Sequence, residues 1–367
     1  MNKWLKFLLG IGISVASMTW ALWDVDLEKT KVAVLSASWA KTVFIYFFFL
    51  LAIHVFRTLR WGNLLSGIEQ VPFKKLNEAS AIGFMMLVVL PFRLGEFARP
   101  FLIAQRSNVR RSAAMTTVVL ERITDILFIA VLLLALMFFL PDTARNYGVI
   151  QTGAIGMFAL SVGGFGFLLL ARWKHDPVVN LIRKIFGVLG PARAEKVVNI
   201  VDGFVGALKQ LPDNKNLALF LLWTSLYWAV NGYGMMLFAN GFDCSGAAGR
   251  ECLPLNLDPY QAYFLLCVVI IGMLIPAGPA GAGTTQAALI IGLQVFLPDP
   301  VVNSSGIAFS IALWVVQVVQ QILFGLFFML RAHASFSDIA GKLSEQQQQD
   351  KPGDDDDQNK RLAAGNP

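Results

Sequence analysis

The chain has 367 residues, of which 56% are hydrophobic and 15% charged. A soluble domain carries about 25% charge, so the composition excludes an ordinary soluble protein and indicates a polytopic membrane protein. The net charge of +6 does not mark a nucleic-acid binder, because the basic residues cluster in short loops between apolar runs, as membrane topology requires.

The N-terminal run MNKWLKFLLGIGISVASMTWAL has the basic flank of a signal peptide. Its length, and the lack of a clear small-x-small site before Asp24, favour an uncleaved first helix. Residues 5–23 and 41–57 are the first two spans, joined by a loop carrying Asp24, Asp26 and Glu28. Arg57, Arg60, Lys74 and Lys75 follow the second span and place its end, and the N-terminus, in the cytoplasm.

Residues 76–90 then supply a helix of about 22 Å before Pro91, short of the roughly 30 Å hydrocarbon core. The stretch LPFRLGEFARP, residues 90–100, puts Arg93, Glu96 and Arg99 beside two prolines. Treating 76–104 as a re-entrant hairpin from the cytoplasmic side leaves Lys74, Lys75, Arg106, Arg110 and Arg111 all inside. Treating it as a full span inverts every later loop. Residues 112–140 and 150–171 are the next spans. Residues 172–215 hold eight Lys or Arg against four Asp or Glu; they fit helices lying on the cytoplasmic surface or a solvated linker.

Residues 216–240 cross again. The loop 241–259 carries Cys244 and Cys252 and falls outside the cytoplasm, where a disulfide is chemically allowed. Residues 260–297 form a second hairpin, entered from the opposite side and broken at IPAGPAGAGTTQAAL. Residues 305–330 make the last span, and 331–367 read as a disordered cytoplasmic tail.

The fold expectation is therefore an all-α polytopic membrane protein with six full spans and two re-entrant hairpins. Two repeats, 1–140 and 141–330, are inverted relative to each other. Broken short segments at matching positions of two halves mark a transporter's binding site, since irregular backbone at membrane depth needs protein or a cavity around it. The second limbs, beginning near Pro91 and near Thr284 or Thr285 as N-caps, would aim two positive helix ends at one place. With Arg93 and Arg99 they make an anion site. Glu121 and Asp125, four apart on one helix, repel each other and need a cation between them; Arg93 is the candidate. Arg93, Glu96, Arg99, Glu121, Arg122 and Asp125 sum to zero charge. On the bland reading, this cluster only pins the hairpin to its neighbour, and Gly281 and Gly283 only let helices pack closely.

These residues resemble a known family. Pro-x-Arg-x-Gly-Glu-x-x-Arg at 91–99, Glu-Arg-x-x-Asp at 121–125, the Pro/Gly stretch ending at Gln286, and Arg60–Trp61 are similar to the lysylphosphatidylglycerol synthase transmembrane-region family, the flippase domain of multiple peptide resistance factor. The resemblance spans about residues 5–330 and implies transfer of a phosphate-bearing lipid, a modified phospholipid or a polyprenyl-type lipid, between leaflets of the inner membrane. Two departures stand out. No aminoacyl-transfer domain follows residue 330, so lipid synthesis is not expected of this chain. Gln286 stands where many members have Glu.

The expected activity is transport and not catalysis. Neither cofactor nor metal is implied, as no HExxH, GxSxG or nucleotide-binding loop occurs. Glu96, Glu121 and Asp125 are weak candidates for proton coupling. Substrate-binding residues are Arg93, Glu96, Arg99, Glu121, Arg122, Asp125, Gly281, Gly283, Thr284, Thr285 and Gln286. Partners are membrane lipids, with a homodimer and a separate lipid-modifying enzyme also admitted. A membrane enzyme acting on lipid carriers and a non-transporting scaffold are the alternative functions.

Overall fold

The computed structural model describes residues 3–90, 95–140, 144–173, 212–275 and 278–331, with isolated positions at 180, 183 and 184. Arg93, most of the 172–215 segment and the tail after Arg331 lie outside the described residues. Among the described residues there is no strand. The helices are α1 (Lys3–Ala21), α2 (Leu27–Ser36), α3 (Trp39–Leu65), α4 (Phe73–Val89), α5 (Ala98–Arg106), α6 (Arg111–Met137), α7 (Tyr147–Trp173), α8 (Asn214–Ala239), α9 (Pro259–Leu274) and α10 (Thr284–Leu293). The last, α11, runs from Asp299 to Arg331 with a π turn at Val302–Gly306.

Two stretches, Thr42–Leu65 and Asp299–Arg331, meet the length and apolarity needed to cross a bilayer. Large apolar side chains such as Phe44, Phe48, Leu160, Leu323 and Phe327 point outward, as a lipid-facing surface requires. Each expected span falls on a long helix, and each expected hairpin is a pair of short helices packed on each other, α4 with α5 and α9 with α10.

Residues 76–104 are not one helix. The chain leaves α4 at Leu90, makes a 3-10 turn at residues 95–97 and enters α5 at Ala98. The second limb was expected to begin near Pro91, and the later start has a reason. Pro100 lacks an amide hydrogen and is tolerated only in a helix's first turn, where it falls when the helix begins at Ala98. Glu96 accordingly precedes the helix. Gly95 marks the turn-back: a Cβ there would sit 2.0 Å from the Leu87 backbone nitrogen.

Both ends of this pair lie together. Lys75 donates to the Arg106 carbonyl at 2.7 Å, Arg106 pairs with Glu78 at 2.7 Å, and the Asn108 amide donates to Glu69 at 2.8 Å. Leu65, Leu76, Ile103, Val109 and Met329 share one core cluster.

At the opposite end α2, an unexpected helix in the first loop, is capped by Asp26, which accepts from the Lys29 amide at 3.0 Å. It docks through the Asp26 amide to the Asn303 carbonyl and through the Gly246 amide to the Ser36 carbonyl. Cys244 and Cys252 are bridged, with Cα atoms 5.8 Å apart, and Lys29 pairs with Glu251 at 3.0 Å just beside them.

The bridge holds the loop that clasps α2. Replacing both cysteines by serine should cost about 2–3 kcal/mol and lower the melting temperature by a few degrees; wild type under a reductant should behave alike. Identical melting curves for the variant and the wild type would remove the bridge's stabilising role.

Candidate functional site

Arg57, Arg60 and Trp61 lie on one side of the C-terminal half of α3, which runs past residue 57, the expected end of the span, and takes in Arg60. The helix continues because its next turns bury Thr58, Trp61, Leu64 and Leu65. On α6, Thr117, Glu121 and Asp125 recur every four residues and share a face. Trp61 Nε1 donates to Thr117 Oγ1 at 3.1 Å and sets α3 against α6 one turn before the carboxylates.

The cation between Glu121 and Asp125 is Arg60. Its two terminal nitrogens hold both oxygens of Asp125, at 2.5 and 2.8 Å, and Nη2 also donates to Glu121 Oε1 at 2.7 Å. Arg60 thus supplies the cation for which Arg93 was the candidate; Arg93 itself lies outside the described residues. Arg60 has the reach from a helix packed directly on α6, and its bidentate fork matches a carboxylate. Arg99 Nη1 reaches Glu121 at 3.2 Å from the first turn of α5. Arg122 adds contacts of 2.8 Å to Glu121 and 3.4 Å to Asp125. Arg60 and Glu121 are fully buried, Arg99 and Asp125 nearly so.

Arg99 comes this close to α4 because residue 83 is glycine; a Cβ there would meet the Arg99 side chain at 2.3 Å. The Arg99 guanidinium lies over the Trp61 and Phe84 rings, 4.3 and 4.7 Å from their centroids. Arg57 covers the Phe84 ring at 3.4 Å. No described carboxylate lies within ion-pair distance of Arg57. One partly open cleft is lined by Arg57, Phe84, Glu96, Arg99 and Arg122.

Arg57 and Arg60 join the expected cluster, and among the described residues four guanidiniums (Arg57, Arg60, Arg99, Arg122) meet three carboxylates (Glu96, Glu121, Asp125). Arg93, a member of the expected neutral sum, lies outside the described residues. As basic residues at the end of the expected span 41–57 and just after it, Arg57 and Arg60 look like a topological flank and not like site residues. Their i, i+3 spacing and the aromatic pattern after them were the available signal.

The tip of the second hairpin is a separate arrangement. A 3-10 turn, Pro279–Gly281, leads to Gly283, the N-cap of α10. Gly283 has φ +85°, and a Cβ on it would lie 2.2 Å from the Ser14 carbonyl oxygen of α1; only glycine fits. Thr284 and Thr285 are thus not N-caps. Both lie inside the helix, and their hydroxyls donate to the Gly281 carbonyl at 3.2 and 2.8 Å. Gln286 Oε1 accepts from the Gly283 amide at 2.8 Å, while its buried Nε2 has no partner. Gly278 donates to Ser14 Oγ at 2.7 Å, and Trp314 donates to the Ala280 carbonyl at 3.0 Å.

The 3-10 turn touches α4, so the two hairpins meet. Gly281, Gly283, Thr284, Thr285 and Gln286 make no hydrogen bond or ion pair with the arginine–carboxylate cluster among the described residues. The sequence reading had placed both groups in one pocket; the structure holds them as neighbouring clusters joined through α4. On α3, His54 pairs with Asn77 at 2.8 Å, one turn from Arg57.

The sequence model of the family described as Lysylphosphatidylglycerol synthase TM region matches residues 7–325. The chain belongs to this family. The match takes in the three motifs and every described residue of both clusters. Comparison with curated proteins and with solved structures finds no match for the chain.

Replacing Arg60 by methionine leaves Glu121 and Asp125 facing each other in a buried site. Removing one partner of a buried pair costs about 3–5 kcal/mol, so the R60M protein should lose much of its yield of folded protein and its melting temperature should fall sharply. Adding Asp125→Asn to it should restore part of the loss. No change with R60M would show that the network is not needed for folding.

Proposed function

We propose that this family member moves a phosphate-bearing lipid, a modified phospholipid or a polyprenyl-type lipid, between leaflets of the inner membrane without changing it chemically. The observation that carries this reading is Arg57, half-buried and bound to no described carboxylate, in a cleft beside the broken helix pair. An unbalanced guanidinium inside an apolar protein is costly, and an anion entering the cleft balances it. Acyl chains stay in the bilayer, and only the headgroup occupies the cleft.

The helix order supports the inverted repeat that alternating access uses. Two long helices (α1, α3), a broken pair and a third long helix (α6) are followed by two long helices (α7, α8), a broken pair and α11. The first pair has its base beside the α5–α6 junction, and the second has its base beside α2 and the disulfide loop. In this reading the pairs dip in from opposite faces, and the halves rock about the contact between α4 and the 3-10 turn. N- and C-termini are cytoplasmic.

The test is the purified full chain in liposomes of phosphatidylglycerol and phosphatidylethanolamine, with a labelled phospholipid in one leaflet. The label should cross several-fold faster than in protein-free vesicles and be recovered unaltered by mass spectrometry. A changed product would instead establish an enzyme; no movement of any phosphate-bearing lipid would leave a scaffold. For topology, cysteines at residues 108 and 28 should label from the cytoplasm and from outside respectively. Labelling of both from one face would overturn the opposed hairpins.

A further inference from the structure

The four arginines around the cleft are not equivalent. Arg60 spends both terminal nitrogens on Asp125 and Glu121, and Arg122 is tied to the same two carboxylates. Arg99 is bound to Glu121 through Nη1 alone; its Nε and Nη2 are buried and without a partner, although the side chain is only 3% exposed. Arg57 is bound to no carboxylate, and its Nε is also buried without a partner. Arg60 also leaves its Nε unpaired, but both of its terminal nitrogens are spent; the unspent terminal edges belong to the two guanidiniums that lie over the Phe84 ring, one at 3.4 Å and the other at 4.7 Å. Burying polar hydrogens unpaired is unfavourable unless something comes to accept them.

We infer that Arg57, with the unspent edge of Arg99, is the contact point for the anionic oxygens of the ligand, and that Arg60 and Arg122 serve as frame. Both guanidiniums lie within cation–π distance of the Phe84 ring, and both line the cleft. A headgroup presenting a phosphodiester meets these unspent donors with anionic oxygens, and a neutral headgroup leaves Arg57 uncompensated. This inference rests on the anion-binding reading above, yet it can fail alone.

The experiment separates receptor from frame. The full chain in detergent is titrated with dihexanoyl phosphatidylglycerol, a soluble phosphodiester, and with uncharged dihexanoylglycerol. Melting temperature and binding are both read. Wild type should bind the phosphodiester saturably, more weakly as salt rises, and ignore the neutral analogue. Arg57→Gln should keep a melting temperature within a few degrees of wild type without ligand, since no ion pair is lost, while binding falls at least tenfold. Arg57→Lys, which keeps the charge but loses the planar fork, should recover only part of that binding. An Arg57→Gln protein as unstable as R60M would make Arg57 a frame residue and overturn the inference. Normal binding by Arg57→Gln would overturn it as well. Tight, Arg57-dependent binding in a protein that moves no lipid in liposomes would retain this receptor and remove the transport reading alone.

Discussion

The packing of α3, α4, α5 and α6 is arranged around one ion-pair joint, Arg60 of α3 set between Glu121 and Asp125 of α6. Two carboxylates on adjacent turns of a membrane helix are unfavourable by themselves. A bidentate arginine converts that repulsion into a fixed contact between helices that are far apart in sequence. Trp61 and Thr117 set the depth of the joint, and Arg99 ties the second limb of the hairpin to the same Glu121 oxygens. The hairpin is thereby held by charge as well as by the packing of Leu76, Ile82, Phe101 and Leu102.

Much of this was legible in the chain. Span lengths, loop charges and the two proline-bearing breaks located each long helix and both broken pairs. Pro100 carried a further signal, since it forbids a helix that starts at Pro91 and runs past it. The site was half legible. The need for a cation between Glu121 and Asp125 follows from their spacing, and Arg99, Glu121, Arg122 and Asp125 do come together. The identity of that cation does not follow from spacing, because the pairing is between helices. At the end of the expected span, Arg57 and Arg60 look like a topological flank, whereas carboxylates on another helix make it possible to bury Arg60.

The second hairpin shows the opposite kind of failure. Thr284 and Thr285 are good N-caps by preference. The close approach of α1 to the tip demands a backbone with positive φ and no side chain, and that constraint is set by Ser14, 269 residues before Gly283. Gln286 then supplies the capping acceptor, so a neutral amide suffices there.

The joint also fixes what can move. Glu121 Oε1 receives N–H groups from Arg60, Arg99 and Arg122 together. A single oxygen atom thus pins α3, α5 and its own helix α6 at one point, and any rearrangement that parts the first hairpin from α3 must break contacts at that atom first: it is a rivet.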